Sequence, residues 1–150
     1  KFPMTITRFH NNYGPRMGLE HVIPQFLLRI IKKEEPFKIF GAKETRSFCY
    51  MTDTIRATQQ VMESEKTNGQ IIHIGNDQEE ISMLDLAQKM FKLFNYQPKN
   101  LAIEEAPKGS VKRRCPDLTK IRELVGYQPS VGLDEGLKKT YDWYQKNYEK

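Results

Sequence analysis

Short β-type segments alternate with helical segments along this 150-residue chain. Apolar or β-branched residues mark predicted strands over residues 2–9, 37–40, 46–51, 70–74 and 101–103. Between them, apolar residues recur every three or four positions, which is the spacing of a helix that buries one face. The alternation predicts an α/β or α+β fold. The strands are few and short, so they do not by themselves make up a complete doubly wound sheet.

Residue types at the helix starts mark the first two helices. Residues 22–33 form the first predicted helix, because Pro24 suits a first turn and the lysines at its end suit the helix dipole. Thr52 or Asp53 is expected to cap a second helix over residues 54–64.

The later helices carry similar signals. Ser82 is expected to cap a third helix, and Asp117 a short fourth helix that Gly126 closes. Leu133 begins the last predicted helix. The polar tail over residues 147–150 is expected to fray.

The formal net charge is +5, from 24 Lys and Arg against 19 Asp and Glu. A basic chain suits an anionic partner, and nucleic acid, acidic lipid and a phosphorylated small ligand all fit that description. No apolar run is long enough to span a membrane, because Arg29 interrupts the longest one. No signal peptide is visible, although a chain that begins with Lys1 rather than Met can have lost an N-terminal address.

Cys49 and Cys115 are the only cysteines, and neither belongs to a C-x-x-C or Cys/His metal pattern. Two cysteines do not make a disulfide framework, so both are expected to be reduced and structural. The histidines, His10, His21 and His73, show no metal-ligand spacing. The sequence therefore predicts no metal site.

Polar side chains concentrate in three segments near the ends of predicted strands: residues 8–16, 46–53 and 108–114. In open α/β structures, ligands bind outside the carboxyl ends of the strands. Three basic loops that converge there would suit a phosphate or diphosphate, because Arg presents a fixed fork of donors and keeps its charge. The three segments are therefore candidates for one anion site.

Each of these residues also has a structural explanation. Asn11 and Asn12 are common turn formers. Arg46 next to Glu44 fits a surface ion pair, which contributes little. His10 fits a hydrogen-bonded structural histidine, the acidic residues before helices fit caps, and the basic loop of the third segment fits a solvated surface.

Sequence motifs for catalysis are missing from these 150 residues. No G-x-G-x-x-G follows a predicted strand, no G-x-S-x-G occurs, and Cys49 has no identifiable base. There is no Tyr-x-x-x-Lys pair, since Tyr141 and Tyr144 are followed four positions later by Gln and Tyr. The residues present suit binding, and no catalytic residue is predicted.

Four segments in order resemble the C-terminal half of the extended short-chain dehydrogenase/reductases, the NAD-dependent nucleotide-sugar epimerases, dehydratases and decarboxylases. They are RFHNNYGPRM, FKIFGAKETRSFCYMTD, IIHIGN and RRCPDLTKIRELVGYQPSVGLDEGLKKTYDWY. The match covers essentially the whole chain at appropriate spacing. It implies an α/β fold that contains the last strand of a Rossmann-type domain, residues 1–15, and a small mixed α/β domain that binds the nucleotide sugar, residues 16–150.

The resemblance also implies six substrate-binding residues: Asn11, Val22, Lys38, Phe40, Arg46 and Arg114. The asparagine is expected to contact the substrate diphosphate. Of the two arginines, the first is expected to bind phosphate and the second to border the nucleotide. The phenylalanine, with the lysine of the same strand, is expected to lie against the nucleobase, and the valine to lie where a helix opens beside the nucleotide.

The family's glycine-rich NAD loop, its Ser/Thr and its Tyr-x-x-x-Lys pair lie before the point where this chain starts. The resemblance therefore implies that NAD serves a longer parent enzyme and that this chain alone is inactive. The parent enzyme is expected to be a cytoplasmic homodimer that acts on a UDP-, GDP- or dTDP-linked sugar. Neither nucleic acid nor a membrane is expected as a partner.

Motifs in the chain resemble enzymes of this family that catalyse different reactions. RFHN followed by YGP resembles the GDP-mannose 3,5-epimerases, YGPRM with R-x-P-D resembles the UDP-glucuronate decarboxylases, and the NNYGP spacing resembles the dTDP-glucose 4,6-dehydratases. A 4-epimerase or a UDP-glucuronate-decarboxylase-like enzyme is slightly preferred. The alternatives are a basic nucleic-acid-binding module and a structural remnant without a ligand.

Overall fold

The computed structural model describes residues 2–148. Its helices are α1 Val22–Ile31, α2 Met51–Glu63, α3 Met83–Leu93, α4 Thr119–Val125 and α5 Leu133–Tyr148, with a 3₁₀ turn at Glu65–Thr67. Residues 147–148 are still helical, and the rest of the tail predicted to fray lies outside the described residues. Within residues 2–148, no helix has both the length and the apolar character needed to cross a membrane.

Strands of two to four residues accompany these helices: β1 Ile6–Phe9, β2 Asn12–Tyr13, β3 Phe37–Phe40, β4 Thr45–Ser47, β5 Cys49–Tyr50, β6 Ile71–Ile74, β7 Glu80–Ser82, β8 Leu101–Glu104 and β9 Arg113–Arg114. The predicted α/β class is confirmed. The strand predicted over residues 2–9 is wrong in its first part, since β1 begins at Ile6. The strand predicted over residues 46–51 is divided between β4 and β5, and Met51 already belongs to α2.

These strands pair in several small sheets rather than in one large sheet. β1 pairs with β6, β2 with β5 and β3 with β8, in each case in parallel. β4 lies at the centre of a three-stranded sheet, antiparallel to β7 and parallel to β9. Because a parallel pair needs a crossover connection, each such pair joins segments that are distant in the sequence.

Two apolar cores hold these elements together. The larger core joins α1, α3 and α5 to β3 through buried side chains such as Leu27 and Leu137. The smaller core joins α2, β6 and α4 through side chains such as Val61 and Ile72. β1 pairs with β6, which lies well beyond residue 15 in the sequence. The division into two domains at that residue stays a prediction.

The predicted cap of α3 is confirmed, and the predicted cap of α2 is wrong. The Oγ of Ser82 accepts a hydrogen bond from the backbone N–H of Asp85 at 3.0 Å, which satisfies one free donor of the first turn. The second helix already begins at Met51, so Thr52 and Asp53 lie inside its first turn.

The start of α4 differs from its prediction by one residue. Leu118 stands at the N-cap position, while the Oδ1 of Asp117 accepts the backbone N–H of Thr119 at 2.8 Å. Gly126 closes the helix in a left-handed conformation with φ of 68°, as predicted.

Candidate anion-binding site

Asn11 follows β1 in a left-handed backbone conformation with φ of 43°, which asparagine tolerates better than most residues. Its Nδ2 donates to the carbonyl oxygen of Ser47 at 2.9 Å. Its own carbonyl oxygen accepts the backbone N–H of Cys49 at 3.2 Å. Asn11 is therefore a turn residue whose side chain is also fixed against the end of β4.

Arg46 and Arg114 occupy paired positions of the parallel strands β4 and β9. Because paired side chains project from the same face of a sheet, two guanidinium groups from distant segments share one face. The Nη1 of Arg114 lies 3.5 Å from the Oδ1 of Asn11, to which it donates. The structure thus brings three of the six predicted site residues together.

Arg113 is the neighbour of Arg114 but projects from the opposite face. Its Nε and Nη2 donate to the two carboxylate oxygens of Glu80 at 2.9 and 2.7 Å, and Thr45 adds a third donor to that carboxylate at 2.5 Å. Hydrogen bonds from the guanidinium and the threonine hold the pKa of Glu80 below its usual value. Arg114, by contrast, forms no ion pair within residues 2–148, so its charge is available to a ligand.

Arg46 is engaged by the protein itself. Its Nη2 donates to the Oε2 of Glu44 at 2.9 Å, and its Nη1 to the carbonyl oxygen of Thr45 at 2.8 Å. The expected ion pair with Glu44 is present, but the side chains of Arg46 and Glu44 are only 13% and 14% exposed, so it is a partly buried pair rather than a surface pair. The same Oε2 accepts the hydroxyl of Ser110 at 2.5 Å, which ties the third basic segment to β4.

The ends of β1 and β6 place two histidines beside this cluster. The Nε2 of His10 and the Nδ1 of His73 lie 2.6 Å apart, and the two rings stack with their centroids at 4.7 Å. Burial lowers the pKa of His10, and the electrostatic influence of His73, Arg114 and Arg8 lowers it further. His10 is therefore a hydrogen-bonded histidine, as its structural explanation expects.

Ser47 and Asn76 complete the cluster from inside. The Oγ of Ser47 donates to the carbonyl oxygen of Asn76, and the Oδ1 of Asn76 accepts the backbone N–H of Gln78 at 2.8 Å. Sequence reasoning does not identify these two residues, or Glu44, as parts of the site. The available signals are adjacency to Arg46 and the position of Asn76 after a predicted strand.

The other three predicted site residues lie outside this hydrogen-bonded cluster. Val22 is the first residue of α1, whose first turn has no acidic residue and whose N-cap residue provides no side-chain cap. Lys38 and Phe40 project from the solvent-facing side of β3, where the phenylalanine ring is 46% exposed. An exposed ring of this kind offers an apolar face to a planar ligand.

Asp53 and the two cysteines lie in surroundings that suit a structural role. Asp53 is buried and accepts the backbone N–H groups of Ser130 and Val131. Cys49 is buried and Cys115 partly buried, both are free thiols, and burial raises the pKa of each. No group of three or more His, Cys, Asp or Glu side chains that could hold a metal is found among residues 2–148.

The cluster presents donors and positive charge, which is the chemistry of an anion site. A guanidinium has five N–H donors in a plane and remains charged at all physiological pH values. A dinucleotide needs in addition a glycine-rich loop at the start of a helix, and these 150 residues contain none. The residues of this chain therefore fit a phosphate group but do not by themselves fit NAD.

Comparisons with known proteins agree on one group of enzymes. The family model described as GDP-mannose 4,6 dehydratase matches residues 1–140. The chain is 34% identical to the UDP-N-acetyl-alpha-D-glucosaminuronate decarboxylase of Bacillus cytotoxicus, over 96% of this chain and 47% of the relative. It is 33% identical to the dTDP-D-glucose 4,6-dehydratase of Bos taurus, over 99% of this chain and 42% of the relative.

A solved structure gives the same result at the level of the fold. The UDP-glucuronic acid 4-epimerase of Bacillus cereus, in complex with UDP-glucuronic acid and NAD, matches with a TM-score of 0.90 at 30% identity. The match covers 97% of this chain and 46% of that chain. The chain thus spans less than half the length of each of these three relatives.

Proposed function

Because the chain belongs to the GDP-mannose 4,6 dehydratase family, among the NAD-dependent nucleotide-sugar epimerases, dehydratases and decarboxylases, we propose that it binds the diphosphate part of a nucleotide sugar. Membership of this group confirms the resemblance noted in the sequence. The proposed role is that of the substrate domain of an NAD-dependent enzyme of the 4-epimerase or UDP-glucuronate-decarboxylase kind.

One observation carries the proposal: Arg114 shares a face with Arg46, lies beside Asn11, and has no counter-ion within the described part of the chain. A hydrogen bond from a charged donor contributes about 1.5–3 kcal/mol net. Two or three such bonds to a diphosphate correspond to millimolar to micromolar affinity. Asn11 would add an amide donor at a position that its left-handed backbone holds fixed.

The remaining predicted residues would hold the nucleoside. The ring of Phe40 is exposed at the end of β3 and would stack on the base, with Lys38 on the same side of the strand. The backbone N–H groups at the start of α1, from Val22 onward, would face a negative group, since helix N-termini favour anions.

NMR titration tests the proposal directly. The ¹⁵N-labelled chain is titrated with UDP, GDP, dTDP and UDP-glucuronic acid, and shifts are expected at Asn11, Phe40 and Arg114. Arg114→Ala is expected to weaken binding at least about tenfold, which corresponds to the loss of one charged hydrogen bond. Arg113→Ala is the matched control, because its side chain is paired with Glu80 on the opposite face, and it is expected to change affinity less than about twofold.

Three results would contradict the proposal. No shift with any nucleotide at millimolar concentration would support the alternative of a structural remnant. Steeply salt-dependent binding to generic RNA or DNA, with no response to nucleotide sugars, would support a nucleic-acid-binding module. Equal effects of the two arginine variants would show that net charge, rather than the cluster, holds the ligand.

The whole enzyme is also a matter of proposal. NAD is proposed as its cofactor, because the solved relative from Bacillus cereus holds NAD together with a UDP-sugar. A cytoplasmic location and a homodimeric parent enzyme are proposed on the resemblance alone.

A further inference from the structure

Glu44 lies in the turn between β3 and β4, and its backbone is held from two sides. Its N–H donates to the carbonyl oxygen of Gly41 at 2.8 Å, and its carbonyl oxygen accepts the N–H of Met83 at 3.0 Å, at the start of α3. The carbonyl oxygen of Ala42 accepts the next helix N–H, from Leu84, at 3.1 Å. The turn and the helix therefore form one rigid support for the Glu44 side chain.

The space around this side chain is narrow. A Cβ at Gly41, which has φ of 60°, would lie 2.9 Å from the Cδ of Glu44 and 3.0 Å from the Cβ of Ala106. The Glu44 carboxyl group thus packs directly on the Gly41 backbone, and this packing restricts its position in addition to its hydrogen bonds.

A single oxygen of this carboxylate joins two of the basic segments. The Oε2 accepts both the Nη2 of Arg46 at 2.9 Å and the Oγ of Ser110 at 2.5 Å. Ser110 closes a turn through its N–H to the carbonyl oxygen of Pro107 at 3.0 Å, so the loop that carries Lys108 is held at this point. The Arg46 guanidinium, the other partner of Glu44, makes a second hydrogen bond, from Nη1 to the carbonyl oxygen of Thr45, and the two bonds together fix its plane.

We propose that Glu44 is a positioning residue of the anion site: it sets the plane of the Arg46 guanidinium and holds the Ser110 loop closed beside it. Two of the five guanidinium N–H groups are used by the protein, and three remain for a ligand in a fixed orientation. The negative charge of Glu44 also opposes an anion bound to the same guanidinium, so positioning and repulsion act in opposite directions. This role rests on the proposed function, because it concerns the binding of a diphosphate.

Two variants that both remove the negative charge of Glu44 separate the positioning effect from the repulsion. Glu44→Gln removes the charge but keeps an oxygen that can accept both hydrogen bonds, whereas Glu44→Ala removes the charge and both bonds. UDP binding is measured on the full chain by calorimetry, after thermal unfolding has shown that each variant is folded. Glu44→Ala is expected to bind UDP at least about fivefold more weakly than Glu44→Gln, since only the orientation of the guanidinium and the loop differs.

A second comparison keeps the negative charge. Glu44→Asp shortens the side chain by one methylene, so its carboxylate cannot reach both partners, and it is expected to bind UDP more weakly than the natural chain. Glu135→Gln is the control for charge alone, because Glu135 is paired with Lys139 on the exposed side of α5. This control is expected to leave the affinity within about twofold.

The outcomes distinguish this inference from the proposed function. In the free protein, a slowly exchanging Nη–H signal of Arg46 is expected in Glu44→Gln and is expected to be lost to exchange in Glu44→Ala, because Nη2 is the atom that donates to residue 44. Nucleotide binding with equal affinity in Glu44→Ala and Glu44→Gln would overturn the positioning role and leave the proposed function intact. Failure of every form to bind any nucleotide would overturn the proposed function and this role with it.

Discussion

The carboxylate of Asp53 accepts the backbone N–H of Val131 at 2.8 Å, across 78 positions of the chain. Ser130 donates to the same carboxylate from its N–H at 2.8 Å and its hydroxyl at 2.7 Å, and Arg56 donates at 2.6 Å. Asp53 is 1% exposed. This buried carboxylate therefore fastens the segment before α5 to the first turn of α2.

Replacement of Asp53 by asparagine is expected to lower the free energy of unfolding by about 3 kcal/mol. The new amide group would face donors, and Arg56 would lose its charged partner. Urea unfolding followed by circular dichroism measures the change. The control is Asp134→Asn, which removes a half-exposed carboxylate paired with Lys89. It is expected to lower the free energy of unfolding by less than about 1 kcal/mol. Equal losses of unfolding free energy in the two variants would contradict the prediction.

The same carboxylate is expected to make stability depend on acid. Burial alone would raise the pKa of Asp53, but hydrogen bonds from Val131, Ser130 and Arg56 outweigh it and lower the pKa. The unfolded chain then binds the proton more readily, so this stabilisation is present above about pH 4 and is lost as pH falls through the folded pKa. The urea midpoint should decrease as the pH is lowered from about 5 to about 3. If the midpoint of Asp53→Asn decreases just as steeply with pH, Asp53 is not the group responsible.

Gly136 is expected to resist replacement by alanine, although it lies inside a helix. A Cβ there would meet the hydroxyl of Tyr13 and would lie 2.7 Å from the Tyr13 Cζ and 2.9 Å from the Tyr50 Cδ2. Overpacking costs about 1–3 kcal/mol, whereas the gain in helix propensity is about 1 kcal/mol. Thermal unfolding should therefore show a lower Tm for Gly136→Ala. Gly132→Ala is the control, because its Cβ would lie 3.8 Å from Glu79, an ordinary contact, and a similar drop in Tm there would argue against the clash.

His10 is expected to remain neutral at a pH where a free histidine is half protonated. Burial, followed by His73, Arg114 and Arg8, lowers its pKa, so the folded chain binds fewer protons here than the unfolded chain. The stability that this site contributes is then complete above about pH 6.5 and declines as pH falls below it. NMR titration of the imidazole should give a pKa below 6.5.

Two histidine variants check the cause. His10→Gln removes the titrating ring and should flatten the decline of the unfolding free energy between about pH 7 and pH 5. His21→Gln, at a half-exposed position, should leave that decline unchanged. A decline that survives in both variants would place its origin elsewhere.

The two thiols are expected to differ in reactivity. Cys49 is fully buried and lies 3.4 Å from the hydroxyl of Thr54, while Cys115 is partly exposed. Burial raises the pKa of both thiols, which lowers the fraction of reactive thiolate at neutral pH. A chromogenic disulfide reagent should titrate one thiol slowly in the native chain and two after denaturation. Cys115→Ser should abolish the native reaction and Cys49→Ala should leave it, and the opposite pattern would reverse the assignment.

The helices α1 and α3 can be predicted from the sequence because their signals are local. Helical spacing and the Ser82 cap are both contained within about a dozen residues. The strand β9 has only two residues, which is too short to show the alternation of apolar and polar residues that marks a strand. Its pairing with β4 also depends on a partner far along the chain. For this reason the sequence identifies Arg46 and Arg114 as candidates but does not show that they share a face.

The environment of Arg46 illustrates a second limit. Adjacency suggests the ion pair with Glu44, but adjacency does not reveal burial, and here it leads to the wrong interpretation of a surface pair. The contact with Ser110 depends on how the third basic segment folds back, which no local pattern encodes. Sequence reasoning therefore finds the cations of the site and misses the carboxylate that orients one of them.

The bond from Arg114 to Asn11 spans 103 positions of the chain, and the bond from Asn11 to Ser47 spans 36. Contacts of such high sequence separation close large loops, so their entropic cost delays them relative to local helices during folding. The anion cluster is therefore expected to assemble among the last steps of folding. A nucleotide that binds this cluster would therefore bind only the fully folded chain. The appearance of nucleotide binding during refolding would then report when folding is complete.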